Sequence, residues 1–435
     1  MIEAGRGASL EWRLLMPQLP LVVDAEVRDR VMRLAQETLS ASWIEGERDG
    51  VPFAYSRPSP GHYPWQWYWD SCFHAIVWRR FDRERAEREL RSLLDGGRAD
   101  GFIGHTIFWD RPVDWQRRWT YNVTSRSARN TSTIQPPLLA WAWRIAVGDP
   151  AEEQRIAAHH RWLEANRDLD GDGLLWLVQP DESGLDSSSK FDAVWGRHAH
   201  ARLLFPFLIA KNRRLDWDAR RVLAAGGPVL CEVVTNVLWC LARIAMGEPS
   251  ITPALIDGLW DERRALFLDV ARGEVAKVGQ TDPVGGDHRI RVSTWSALAP
   301  LALPDLPEEI ARRLVEEHLL DQRKYWLPYP PTSVSAQEPS FAPRKWKGPL
   351  RRLYWRGPTW INSAWLIWIG LLRQGYQPES LEMARKLAGA VVQQRLREFY
   401  EPYTGEGLGA REFGWSSLIA ELVEPDPGAA DSYLR

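Results

Sequence analysis

Cysteine is scarce. Cys72, Cys231 and Cys240 are the only three in 435 residues. An odd, sparse set argues against a disulfide scaffold and suits a reducing, cytoplasmic setting. An excess of either charge is lacking too. The chain carries 55 basic and 57 acidic residues, net −2, so no strong field points to nucleic acid or to an anionic membrane surface. No uncharged apolar run reaches the roughly 18 residues that a membrane span needs. The opening stretch, MIEAGRGASLEWRLLMPQLPLVV, lacks the basic segment, apolar core and small-residue cleavage site of a signal peptide. GxGxxG, the P-loop and GxSxG are absent, and the His pairs in AHHRW and GRHAHAR lack metal-ligand spacing. Neither a metal nor a cofactor is expected. The expected partner is a small molecule, and self-association is left open.

Helical periodicity dominates what is present. Apolar residues recur at three- and four-residue spacing over 28–43, 83–95, 136–147, 152–168, 199–213, 231–246, 308–320, 360–375, 378–399 and 414–423. Stretches such as 83–95 are polar on one face, whereas 136–147 and 360–372 are apolar nearly all round. Two such populations predict two layers, one solvated and one sandwiched. The best strand pattern is DHRIRVSTW, 287–295. The spacing predicts one all-helical domain over 1–435, with 1–26 as an N-terminal extension. Long polar loops near 44–68, 98–134, 180–196 and 327–353 are expected to carry function.

Tryptophan is abundant, at 25 residues. Its flat apolar face and N–H edge suit a sugar cleft as well as a core. GHYPWQWYWDSCF (61–73) sets Tyr63, Trp65, Trp67 and Trp69 before Asp70. Asp70 reads either as a helix N-cap or as a carboxylate that accepts from vicinal hydroxyls. ESGLDSSSKFD (182–192) reads as a turn, or as the site of an acid whose proton is retained by burial. LYWRGPTWINSAW (353–365) offers Tyr354, Trp355 and Trp360, as core or wall, and an Arg356 that needs a carboxylate partner if buried. LREFYEPYTGEGLGAREFGW (396–415) holds Glu398, Glu401, Glu406 and Glu412, each readable as a solvated acid. The Asp168, Asp170, Asp172 run resembles a calcium loop but has Gln179 at the twelfth position, so a tight turn is expected.

Taken in order, these segments resemble glycoside hydrolase family 63 and its trehalase-like relatives, nearest the compact bacterial mannosylglycerate and glucosylglycerate hydrolases. The matching motifs run from about residue 60 to 418. The resemblance implies an all-α (α/α)6 barrel with long loops over the active-site end, and inverting hydrolysis by two carboxyl groups roughly 6.5–9.5 Å apart. It implies Asp186 as general acid and Glu398 as general base, with Glu412 as the fallback. It also implies Tyr63, Trp67, Trp69, Asp70, Gln135, Tyr354, Trp355 and Trp360 as the sugar pocket. The Arg and Tyr that grip glycerate in these relatives align here with Gly227 and Val233. The resemblance therefore leaves a neutral aglycone as open as glycerate, with Arg220, Arg221 or Lys347 as substitute cations. The competing readings are a sugar epimerase or isomerase and a non-catalytic carbohydrate-binding protein.

Overall fold

The computed structural model describes residues 23–109, 115, 118, 121–123, 129–201, 203–344 and 354–424. Six buried helical segments succeed one another around a closed cycle of contacts. They are Tyr68–Trp78, Leu139–Ala146, Val233–Ala245, the 3₁₀ helix Trp295–Ala302, Ile361–Arg373, and Gly414–Leu418 with its continuation Ile419–Val423. The last packs back on the first. Their sequences explain the position. Every residue of Tyr68–Trp78 is buried, including Asp70, Ser71 and His74, as is Ile361 through Leu372. A helix apolar on all sides is stable only when sandwiched.

The helices that bury one face form the outer set: Ala25–Ser42, Arg83–Gly96, Glu153–Arg167, Thr252–Leu259, Glu308–Arg313 and Gln377–Gln394. Arg83–Gly96 spans Tyr68–Trp78 and Leu139–Ala146, and Gln377–Gln394 spans Ile361–Arg373 and Ile419–Val423. One contiguous core of buried apolar side chains extends from Val23 to Val423. Asp24 caps the helix that begins at Ala25, inside the stretch 1–26 expected as an extension. Residues 1–22 lie outside the described residues.

Strand content exceeds the expectation. The loop 44–68 contains a hairpin, Trp43–Arg48 with Val51–Ser56, turned by Asp49 and Gly50 at φ 55° and 75°. Positive φ at both central residues is the Asp-Gly turn signature. An antiparallel five-stranded sheet runs Thr281–Val284, Asp287–Ile290, Val270–Arg272, Val229–Cys231, Trp176–Leu177. It takes up only the start of the strand expected over 287–295, since Trp295 opens a 3₁₀ helix. The helix expected over 378–399 stops at Gln394, where Arg395 adopts φ 61°. Arg397–Tyr400 then pairs with Gly407–Arg411. These two sheets carry the chain to Asp186 and hold Glu398.

Candidate active site

The start of Tyr68–Trp78 is capped by tertiary contacts. Trp67 is the extended cap residue and makes no side-chain cap bond. The Tyr68 N–H donates to the His105 carbonyl at 3.0 Å, and the Trp69 N–H to Gln135 Oε1 at 3.0 Å. These satisfy N–H groups that a helix start leaves orphaned. Asp70 is therefore not the N-cap; it sits in the first turn, buried, and lines a cavity. Burial pushes its carboxyl up to about 7, with the His74 side chain opposing the rise.

Pro180–Ser183 forms a 3₁₀ turn after the strand Trp176–Leu177. Glu182 is fully buried and grips Arg167, whose Nη1 lies 2.8 Å from Oε2 and Nη2 2.5 Å from Oε1. It also accepts from the Val178 N–H at 2.8 Å. Gly184 has φ 68°, and a Cβ there would lie 2.5 Å from the Trp69 ring, so only glycine fits between the turn and that indole. Asp186 follows at the exposed rim of the same cavity. Asp181 contacts Asn122 and Gln179; burial first, then the charge of Asp186, raises it to about 7.

Glu398 reaches the cavity from its strand, buried at 6 % exposure. Its Oε1 accepts from the Tyr63 hydroxyl at 3.1 Å and its Oε2 from the Ala410 N–H at 2.8 Å. Gly409, at φ 71°, leaves room for it; a Cβ there would lie 2.4 Å from Oε2. Tyr63 feels both carboxylates. Burial, then Glu398, then Tyr354 and Asp186 hold its phenol well above the usual value.

The cavity brings together Tyr63, Trp67, Trp69, Asp70, Gln135, Asp186, Tyr354, Trp355, Trp360 and Glu398, around about 70 Å³. That is the liquid volume of about two waters. Two wider lobes open from it, both touching Tyr63 and Tyr354. One, of about 580 Å³, adjoins Glu398. The other, of about 450 Å³, adjoins Asp186. The walls are rings in contact: Trp355 stacks on Trp360 at 4.0 Å and 6°, Trp69 meets Trp415 edge-on at 5.4 Å, and Tyr63 meets Trp67 edge-on at 6.0 Å. The buried indole N–H groups of Trp67, Trp360 and Trp415 have no partner within the described residues.

Glu412 is a correction. It is half-exposed, ion-paired to Arg395 at 3.0 Å, accepts from Thr38 at 3.1 Å, and does not line the cavity. One residue past the strand Gly407–Arg411, it points to the outer face. The positions placed at the glycerate Arg and Tyr do not line the Asp186 lobe. Val233 begins a buried inner helix and Gly227 sits against Val222; the stretch after the acid that lines a lobe is Ala199, His200, Ala201 and Phe205. Arg220 bonds the Ala165 and Asp168 carbonyls and Arg221 pairs with Asp216, while Lys347 lies outside the described residues. Glu401 caps its own turn through the Thr404 N–H at 2.8 Å. Glu406 pairs with Arg344 at 3.2 Å on the wall of the Glu398 lobe. Asp168 accepts from the Gly171 and Gly173 N–H groups, the expected tight turn.

His105, Phe413 and Trp415 also line the cavity. Phe413 and Trp415 close the run LREFYEPYTGEGLGAREFGW; His105, in the unremarkable GHTIF, carried no signal. Burial pushes the His105 imidazole down to about 3, so it is neutral and a poor base. Among the described residues, no group of three or more His, Cys, Asp or Glu side chains is arranged to hold a metal ion, and no helix is long and apolar enough to cross a membrane.

A family model, the mannosylglycerate hydrolase MGH1-like glycoside hydrolase domain, matches residues 63–416. The chain is 27% identical to the mannosylglycerate hydrolase of Thermus thermophilus over 84% of its own length and 96% of that protein. It is 24% identical to the glucosylglycerate hydrolase of Mycolicibacterium hassiacum, covering 82% and 91%. A crystal structure of a family 63 mannosylglycerate hydrolase from Thermus thermophilus in complex with glucose superposes with a TM-score of 0.70 at 25% identity, over 91% of this chain and 99% of that one. The chain is a glycosidase of the mannosylglycerate hydrolase MGH1-like family, within glycoside hydrolase family 63.

Proposed function

We propose that this glycosidase is an inverting enzyme that hydrolyses a small α-linked glucoside or mannoside, of the disaccharide or glycosyl-glycerate type, in a single-domain (α/α)6 barrel in the cytoplasm. The closed cycle of six inner segments with six one-faced helices around it supports the barrel. The observation that carries the mechanism is that Asp186 and Glu398, far apart in the chain, line one small aromatic cavity from which a separate lobe opens beside each. Asp186 protonates the leaving oxygen and the aglycone departs into the lobe at its side. Glu398, oriented by Tyr63 and the Ala410 N–H, deprotonates the water that attacks C1 from the opposite face. Asp70 accepts from sugar hydroxyls, and the orphan indole N–H groups of Trp67, Trp360 and Trp415 have hydroxyl oxygens to donate to. The indole faces take the C–H face of the ring. The epimerase alternative needs a basic imidazole at the sugar, and His105 is not basic.

A panel of α-linked disaccharides with glucosylglycerate and mannosylglycerate, assayed with wild type and Asp186→Asn, tests the reading. Hydrolysis of at least one by wild type, lost in the variant, is expected. Binding without hydrolysis in both forms would indicate a carbohydrate-binding protein instead.

Asp70 supplies a further expectation. Its carboxyl titrates near 7, so below that pH it protonates and loses its charge-assisted acceptors. Asp70→Asn lowers kcat/KM about 100-fold, the loss of roughly 3 kcal/mol of bonding to hydroxyls. The same change raises Tm at pH 8. The folded-state pKa lies above the ordinary 3.8, so burying this charge costs stability as pH rises through 7, and an amide has no such cost. Kinetics and melting curves of the one variant check both signs.

A further inference from the structure

The residue directly after Asp186 has an unusual backbone. Ser187 is buried and has φ 58°, in the left-handed region that disfavours a side chain. Such a conformation persists only where the surroundings impose it. Two contacts from the Tyr354–Arg356 segment do so. The Tyr354 N–H donates to Ser187 Oγ at 3.0 Å, and Arg356 Nε donates to the Ser187 carbonyl at 2.8 Å. The rest of the Arg356 guanidinium forks onto Asp192, with Nη1 on Oδ2 at 2.8 Å and Nη2 on Oδ1 at 2.7 Å. Asp192 Oδ1 also meets His200 Nδ1 at 2.9 Å, and His200 lines the Asp186 lobe. Arg356 is 7 % exposed. One buried cation thus spans the acid's loop, holding its first residue by the main chain and its sixth by the side chain. A planar fork fits both partners, which a lysine ammonium does not.

On the reading of Asp186 as general acid, we propose that Arg356 is a positioning residue for that acid: it clamps the left-handed turn at Ser187 so that the Asp186 carboxyl is aimed at the leaving oxygen. In the step it serves, the C1–O bond to the aglycone breaks and the Asp186 proton passes to that oxygen. The water oxygen bonds to C1 and its proton passes to Glu398. An α-glycosyl fluoride needs no such proton, because fluoride departs as the anion. Loosening the clamp therefore harms alcohol leaving groups and spares fluoride. A general structural defect would harm both alike.

The test compares kcat for the best α-glycoside and for the α-fluoride of the same hexose. Arg356→Gln and Arg356→Lys should lose about 100-fold on the glycoside, the scale expected of a misplacement of about 1 Å, and no more than about threefold on the fluoride. Asp186→Asn is the control and should show the same split more strongly. If Asp186→Asn shows no split, the assignment of the acid fails and this inference with it. If Asp186→Asn splits but the Arg356 variants lose nothing, or lose equally on both substrates, only the positioning role fails. Asp192→Asn keeps the arginine, and is the deciding variant should the Arg356 variants not fold. A smaller loss confined to the glycoside is expected there, and an equal loss on both substrates overturns the proposal.

Discussion

Glu398→Gln lowers kcat about 1,000-fold, with little change in Tm. The two environments of this side chain explain why the effect is confined to chemistry. Oε2 accepts from the Ala410 N–H and Oε1 from the Tyr63 hydroxyl. A glutamine amide oxygen accepts from Ala410 as well, and its NH₂ donates to the Tyr63 oxygen in place of the bond that Tyr63 donated, so a contact to each neighbour and the shape are kept. What is lost is a group able to take a proton from water. Azide brings its own charge and needs no base, so added azide restores turnover in Glu398→Gln and yields the glycosyl azide of inverted configuration. The check is kcat with and without azide, with the product identified by NMR. Retained activity in the variant would remove Glu398 from the mechanism.

The largest effect on stability is expected at the seam of the ring. Glu421, on the last inner segment, is fully buried and takes both Arg79, at 2.7 Å, and Arg80, at 2.5 Å, from the end of the first inner helix. Burial alone would push its carboxyl up; the two guanidinium groups outweigh burial and hold it at about 2. Glu421→Ala removes the buried carboxylate that these two nearly buried cations share at the closure, and costs about 3–5 kcal/mol. Urea unfolding at neutral pH measures it. Because the folded-state value lies below the ordinary 4.5, the contribution is complete above that range and fades as pH falls towards 2. The wild-type and Glu421→Ala unfolding free energies should therefore converge in acid. A constant gap would mean that packing, not charge, closes the seam.

The helices were legible because their signal is local. Ala25–Ser42, Arg83–Gly96 and Ile361–Arg373 match their apolar spacing to within a few residues. The misread strands depend on partners distant in sequence. Leu396 and Phe399 continue the three-residue spacing of Gln377–Gln394 and mimic a further turn of helix, but both are buried by hairpin geometry after the break at Arg395. The hairpin at 43–56 did carry a signal, Asp49-Gly50, obscured by the polar strand WIEGER around it. At the site, the motif residues converge because each motif lies at or beside a junction that opens on the cavity: Asp70 in the first turn of its helix, Asp186 after a 3₁₀ turn, Trp360 just before a helix and Glu398 on a short strand. Glu412 does not, since it lies just past the strand Gly407–Arg411 at φ 50°, where the backbone leaves the strand's alternation and nothing local in the sequence signals the turn. Asp70 admits a cap reading because an acid near a helix start usually is one; here Gln135 and the His105 carbonyl take over that work from a distance.

The central claim is that Asp186 and Glu398 act from opposite faces of one sugar ring. The most direct measurement is ¹H NMR of the anomeric proton during the first turnovers on the best α-glycoside, before mutarotation. The account predicts that the β-hemiacetal is released first. Release of the α-anomer first would contradict it.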